Sequence, residues 1–430
     1  MIVQRWRAPG RVGAEIKATN RLPREGSSVI SLAPRWRPVA PYFGAFLGLG
    51  VALSFFGPAL PALRGQTGSS LADMGLVFSA QSLGGLVGSV VAGRAYRRLG
   101  GPHLIAVALI AFAGAMALLP WSSELWVVIL LGAVIGAGAG TIDVGGNTLL
   151  PGIVEPEALV SSINALHMCF AVGALATPLV VGLSEGVASS LWPACLVIAF
   201  GTFALGTAMW SGDRSGAARQ AQDDHAERGD PTERWRLAVV ALFFVLYVGL
   251  EIGYAGWIAT YSGELGFATG WATAITAAFW AGFLIGRLFM VWRGDRFETG
   301  RVLWISVIAA TVLAAAVAMI GAQTVPLLVL STLFGIAIAP QFPTMLAHVH
   351  RSVPLTGVVT AWCIAGSATG GLVLPWVIGE LIESVGVGAM PWTVAGASVG
   401  SAAVVFAVDR WALAAPSGPS KQRDPAAAEG

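Results

Sequence analysis

Apolar runs of about 20 residues recur twelve times along this chain, each long enough to cross roughly 30 Å of hydrocarbon as a helix. They fall at about 41–63, 72–94, 102–120, 126–150, 160–184 and 188–210, then at 237–261, 268–292, 302–321, 325–349, 355–382 and 389–412. No water-soluble core needs so many. In lipid a segment must satisfy its own backbone polar groups, and a helix does so. Only 11% of the residues are charged, against about a quarter in soluble domains. The fold class is therefore an all-α polytopic membrane protein of twelve transmembrane helices.

The runs divide six and six. Between them lies "SGDRSGAARQAQDDHAERGDPTERW", charged and without apolar periodicity, the composition of a flexible linker. The organisation read from this is an N-terminal tail (1–40), a six-helix half (41–211), a linker (212–236), a second six-helix half (237–413) and a C-terminal tail (414–430). The tail at 1–40 is basic and polar, with no apolar core and cleavage site of the kind a signal peptide carries. Cytoplasmic loops accumulate Lys and Arg. With the N-terminus inside, every basic residue except Arg64 is assigned to the cytoplasmic side, including those from Arg287 to Arg301 after the eighth span. This predicts a multi-pass protein of the cytoplasmic membrane with both termini inside. Trp121, Trp126, Trp192, Trp235 and Trp392 stand at span ends, as interfacial anchors do. Cys169, Cys195 and Cys363 are odd in number and lie within apolar runs, so neither a disulfide framework nor a metal site is expected.

A faint repeat links the halves. "GSVVAGRAYRRLGG" and "GRLFMVWRGDRFET" align Gly88 with Gly286 and Arg98 with Arg296. Each puts a glycine within a helix and a basic cluster in the turn that follows. Parallel repetition of six-helix halves is a transporter design, with substrate bound where the halves meet.

These two stretches resemble the paired loop motifs of the major facilitator superfamily, which implies gating roles for Gly93, Arg94, Arg97 and Arg98, and for Arg293, Asp295 and Arg296. The first copy lacks the acidic residue usual in that motif. Within the superfamily, "GTIDVGGNTLL" (140–150) resembles the fourth helix of fucose permease and its relatives. "ALHMCFAVGALATPL", "YVGLEIGYAGWIATYS" and "APQFPT" resemble the sodium-dependent glucose transporter branch of that family. The resemblance implies a sugar or similar small polar substrate, a coupling proton or sodium ion, and no cofactor. It also implies that spans 1, 4, 7 and 10 line the cavity. The first span, "FLGLGVALSFFGPALPAL", has no acid, whereas fucose permease has an aspartate there, so that permease's proton mechanism does not carry over directly.

The residues themselves supply candidates. A carboxylate within the bilayer is costly and normally faces a bundle interior or a water cavity. Asp143 and Asn147 are i and i+4 on one face of the fourth span, so they mark either a substrate or cation site or a structural hydrogen bond. Asn164 and His167 lie one turn apart in the fifth span. Asp143 and His167 are each about seven residues from the intervening loop, roughly 10 Å deep, which puts them at one level. In the seventh span Tyr247, Tyr254 and Tyr261, three of 5 tyrosines, are spaced by seven, with Glu251 and Trp257 near that face. Carboxylate acceptors beside flat aromatic rings suit a sugar; an aromatic stripe is equally a packing surface. Gln341, between Pro340 and Pro343, sits where proline frees backbone carbonyls and is either a ligand or a satisfied amide at a kink.

The expected protein is thus a secondary transporter of a sugar-like solute working by alternating access; a facilitator-type exporter of drugs or metabolites is the alternative. The clustered Asp143, Asn147, Asn164, His167 and Glu251 favour a polar substrate. With no HExxH and no GxxxxGK[ST] loop, an intramembrane enzyme or direct ATP use is not expected. The partners expected are the bilayer, one small solute and a coupling cation; a monomer that binds no nucleic acid is expected.

Overall fold

A computed structural model of the protein describes residues 39–210, 231–350 and 357–414. The predicted N-terminal tail, most of the linker and the C-terminal tail therefore lie outside the described residues. Those described form α-helices joined by short turns, with no strand among them. The first half holds α1 (Ala40–Ser54), α2 (Phe56–Thr67), α3 (Leu71–Leu99), α4 (Gly101–Leu118), α5 (Leu125–Leu149), α6 (Pro156–Ala188) and α7 (Trp192–Trp210). The second holds α8 (Pro231–Glu264), α9 (Thr269–Arg293), α10 (Thr299–Ile320), α11 (Thr324–Ile338), α12 (Gln341–His350), α13 (Gly357–Val385) and α14 (Ala389–Ala414). The side where α1 begins is called inner below, and the opposite side outer.

Helices or helix pairs cover each predicted span, so the chain crosses the membrane many times. Two spans are broken. The first divides into α1 and α2, bent by 49°. Pro58 and Pro61 lack N–H groups and leave the carbonyls of Ser54 and Gly57 without helical partners. The tenth divides into α11 and α12 at Pro340, where Pro340 and Pro343 free the carbonyls of Ile336 and Ala339 in the same way. The seventh starts earlier than predicted. Pro231 occupies the first turn of α8, where its missing N–H costs nothing, so residues assigned to the linker belong to the helix.

The repeat is visible as packing. In the first half α3 runs along α5, α4 along α7 and α1 along α6; in the second α9 runs along α11, α10 along α14 and α8 along α13. Glycines set the closest pairs. A Cβ at Gly84, Gly88 or Gly136 would strike the carbonyls of Ala133, Ala137 or Gln81 across the α3–α5 seam. At the matching places in the second half, a Cβ at Gly282, Gly286 or Gly335 would meet the backbone of Thr332, Ile336 or Phe279. Backbones in such contact gain dispersion and weak C–H···O bonds in an environment without a hydrophobic drive between helices.

The halves meet along α3–α13 and α6–α9. Polar contacts join them toward the outer side. Arg64 of α2 pairs with Glu264 of α8 at 3.2 Å, the Leu71 amide donates to Glu383 Oε2 at 3.1 Å, and Ser79 Oγ donates to the Leu372 carbonyl at 2.6 Å. Ser70 and Asp73 form a capping box at the same end of α3. Glycine contacts add to this closure, since a Cβ at Gly57 would meet the carbonyl of Ala255.

Candidate functional site

Three faces of α5 are fixed by their contacts. Gly136 and Gly140 meet α3, Gly138 meets Ala108 of α4, and Gly146 meets the ring of Phe46 on α1. At 100° per residue, Asp143 falls between the α3 face and the α1 face, on the side away from α4. Both Asp143 and Asn147 have exposed side chains there. Asn147 Nδ2 donates to Asp143 Oδ1 and to the Asp143 carbonyl, both at 3.0 Å. The i,i+4 relation read from the sequence is thus a closed hydrogen bond whose carboxylate still faces the cleft.

Asp143 and His167 share a level, yet no hydrogen bond joins them among the described residues. Phe46 stands against Gly146 of α5 and meets the His167 ring edge-on, with centroids 5.6 Å apart. His167 and Asn164 are half-buried on α6.

On α8 the tyrosine stripe turns out to be packing. Tyr247, Tyr254 and Tyr261 are all buried. The Tyr254 hydroxyl shares a hydrogen bond with Ser331 Oγ at 2.7 Å, and its ring lies 4.4 Å from that of Phe334. Tyr261 donates to the Val317 carbonyl. Trp257 is fully buried, donates from Nε1 to the Pro375 carbonyl at 2.8 Å and packs on Phe78 across the halves. The ligand roles expected for Tyr254 and Trp257 are therefore corrected: their polar atoms are already taken and their faces covered. Glu251 remains half-buried, one turn along α8 from the buried Tyr247.

Gln341 is 1% exposed, and neither amide atom has a partner. It shares its face of α12 with His348, seven residues on, which points at α10 and α14. Its neighbour Phe342, not Gln341, turns to Tyr247 and Phe244 on α8. The amide thus looks into the second half and away from the cleft.

Of the loop residues, Gly93 has open space around it, Arg94 is exposed and donates to the Val90 carbonyl, and Arg296 is exposed. Arg293 lies over Trp292 at 4.2 Å. The side chains of Arg97, Arg98 and Asp295 lie outside the described residues.

Two features were missed. Arg287, counted with the turn after the eighth span, lies within α9, half-buried, with its guanidinium 5.0 Å from the Phe283 centroid. At the inner ends of α10, α12 and α14, Asp409 accepts from Trp304 Nε1 and pairs with His348 Nε2, both at 2.8 Å, while His348 Nδ1 meets Thr299 Oγ1. The residue types carried that second signal, but their spacing of 49 to 105 positions hid it.

Known proteins share this arrangement. The chain is 23% identical to the mouse (Mus musculus) sodium-dependent glucose transporter 1A over 79% of its own length and 88% of the relative's. It is 22% identical to the Pongo abelii major facilitator superfamily domain-containing protein 4A, over 81% and 87%. The fold superposes on the nucleoside transporter NupG with a TM-score of 0.68 at 16% identity, covering 87% of this chain and 98% of that one. A bacterial homologue of the human lysosomal transporter Spinster, inward-facing and occupied, gives 0.65 at 14%, covering 87% and 96%. The Major Facilitator Superfamily model itself matches residues 42–276. With two six-helix halves about a polar cleft and that match over more than half its length, the chain belongs to the Major Facilitator Superfamily, a membrane transporter and not an enzyme.

Proposed function

We propose that the protein moves a sugar or similar small polar solute across the cytoplasmic membrane by alternating access, driven by a proton or sodium gradient. The observation that carries this reading is the exposed Asp143–Asn147 pair, a carboxylate on α5 with only a neutral amide bound to it. An uncompensated carboxylate in a cleft that must close calls for a cation during the cycle. Asn164, His167 and Glu251 complete a polar lining suited to hydroxyl groups, and relatives named sodium-dependent glucose transporters support the substrate class. The distribution of Lys and Arg supports cytoplasmic termini.

The experiment is uptake of labelled D-glucose and other neutral sugars into proteoliposomes holding the purified chain, with proton and sodium gradients imposed separately. Accumulation should follow one gradient and stop when it is dissipated. Gradient-driven transport of apolar drugs, with none of any sugar, would replace this reading by that of an exporter.

A further inference from the structure

Gln341 is a buried amide with no part in the cleft. Its side chain is 1% exposed, and neither Oε1 nor Nε2 has a partner among the described residues, a cost that native interiors seldom leave standing. The register of the neighbouring helices shows what it faces. Thr299 of α10 meets His348 of α12. Because α10 runs outward and α12 inward, Ser306 and Gln341, each seven residues from that contact, stand at one level and on the faces that touch. His348 also meets Asp409 of α14. Eleven residues before Asp409, three turns away and again on one face, comes Ser398. It too is 1% exposed, and its hydroxyl has no partner among the described residues.

Along the axes Ser398 lies about 6 Å nearer the outer side than Gln341. Helical side chains lean toward the N-terminus of their helix, and α12 runs inward, so the amide leans toward Ser398 and shortens that gap. The neighbouring side chains are small: Ala310 on α10 and Ala402 on α14. Three polar groups therefore converge in the interior of α10, α12 and α14. Asp409 and His348, two turns further in, satisfy each other.

The donors and acceptors decide what suits such a set. Oε1 only accepts and Nε2 only donates, so a cation would satisfy the first and be repelled by the second, and an anion the reverse. Each serine hydroxyl does both. A molecule that donates and accepts at once, and is small enough to sit between packed helices, is water.

We propose that Gln341, Ser306 and Ser398 hold an internal water that ties α12 to α10 and α14. The tie has a purpose in the fold. α12 is 10 residues long and is parted from α11 at Pro340, so it depends on lateral bonds. The His348–Asp409 pair secures its inner end, and the water secures its outer end. This holds whichever solute the protein carries.

Two buried methionines report on the site. Met345, one turn from Gln341 on α12, and Met116 of α4 are both 0% exposed. X-ray irradiation of the purified full chain in detergent makes hydroxyl radicals wherever water stands, and mass spectrometry counts the methionines they oxidise. Met345 should be oxidised several times faster than Met116. Gln341→Leu should bring it down to the rate of Met116, and Ser398→Ala should lower it as well. Equal rates in the wild type, or a Met345 rate that neither variant moves, would overturn the proposal. Thermal unfolding gives an independent readout. Each variant should lower the melting temperature by several degrees, and the two together by no more than the larger single fall, because both cut ties to one water. A higher melting temperature in Gln341→Leu would reveal an idle amide in a dry site, and additive falls would reveal two unrelated contacts; either result overturns the proposal. Should Gln341→Leu fail to fold, Ser398→Ala removes a single oxygen atom and decides through the Met345 rate.

Discussion

Asp143 holds a hydrogen bond that a neutral side chain would hold as well, so Asp143→Asn removes the charge and little else. We expect that variant to fail to concentrate substrate under any imposed gradient while retaining counterflow, because exchange never requires the empty carrier to reorient. Accumulation at the wild-type level would make the carboxylate structural. Tyr254 offers the opposite control. Tyr254→Phe leaves Ser331 unpaired in a packed site, so it should lower stability by about 1 kcal/mol, read from thermal unfolding, and leave the KM unchanged; a raised KM would return Tyr254 to the binding site. The i,i+4 pairing of Asp143 and Asn147 was legible because helical geometry alone fixes it. The separation of Asp143 from His167 was not: counting residues gives height along a helix but not the azimuth, and Phe46 fills the gap. Tyr254 and Trp257 misled for a related reason, since a stripe of rings shows that a helix has a face and not what covers it. Arg287 was hidden by its neighbours, because Arg293 and Arg296 follow within three turns and drew it into the loop count.

At the scale of elements, the spans were legible because the bilayer demands them, and their ends drifted where a helix leaves the hydrocarbon. Pro231 is a helix-start signal that the surrounding charge masked. The glycine seams make a sharp comparison. Gly84→Leu and Gly282→Leu should each abolish the folded, monodisperse fraction seen by size-exclusion chromatography, since the obstacle at each is backbone of the neighbouring helix; Gly93→Ala, with nothing nearby, should be silent. Normal yield of both leucine variants would mean the seams can open. Asp409 ties three helix ends, so Asp409→Leu leaves Trp304 and His348 without their shared acceptor. A fall in melting temperature of several degrees is expected.

Across the whole molecule, the division into halves and the orientation were read from charge and repetition, while the closure on the outer side was invisible because it joins positions as distant as Leu71 and Glu383. Orientation is open to labelling. In a background lacking the native cysteines, Ser123→Cys and Gly186→Cys, both at exposed outer positions, should react with an impermeant thiol reagent in intact cells, and Glu298→Cys should not; the reverse pattern would invert the topology. The seams bear on motion too. Where backbone lies on backbone there is no layer of side chains to change rotamer, so α3 cannot slide along α5, nor α9 along α11, without breaking contact altogether. Each half is then braced as a rigid keel. Within each half the helical hydrogen bonding is interrupted at a proline break, and if the proposed alternating access flexes a half there, a disulfide across either break should arrest transport while leaving both keels intact.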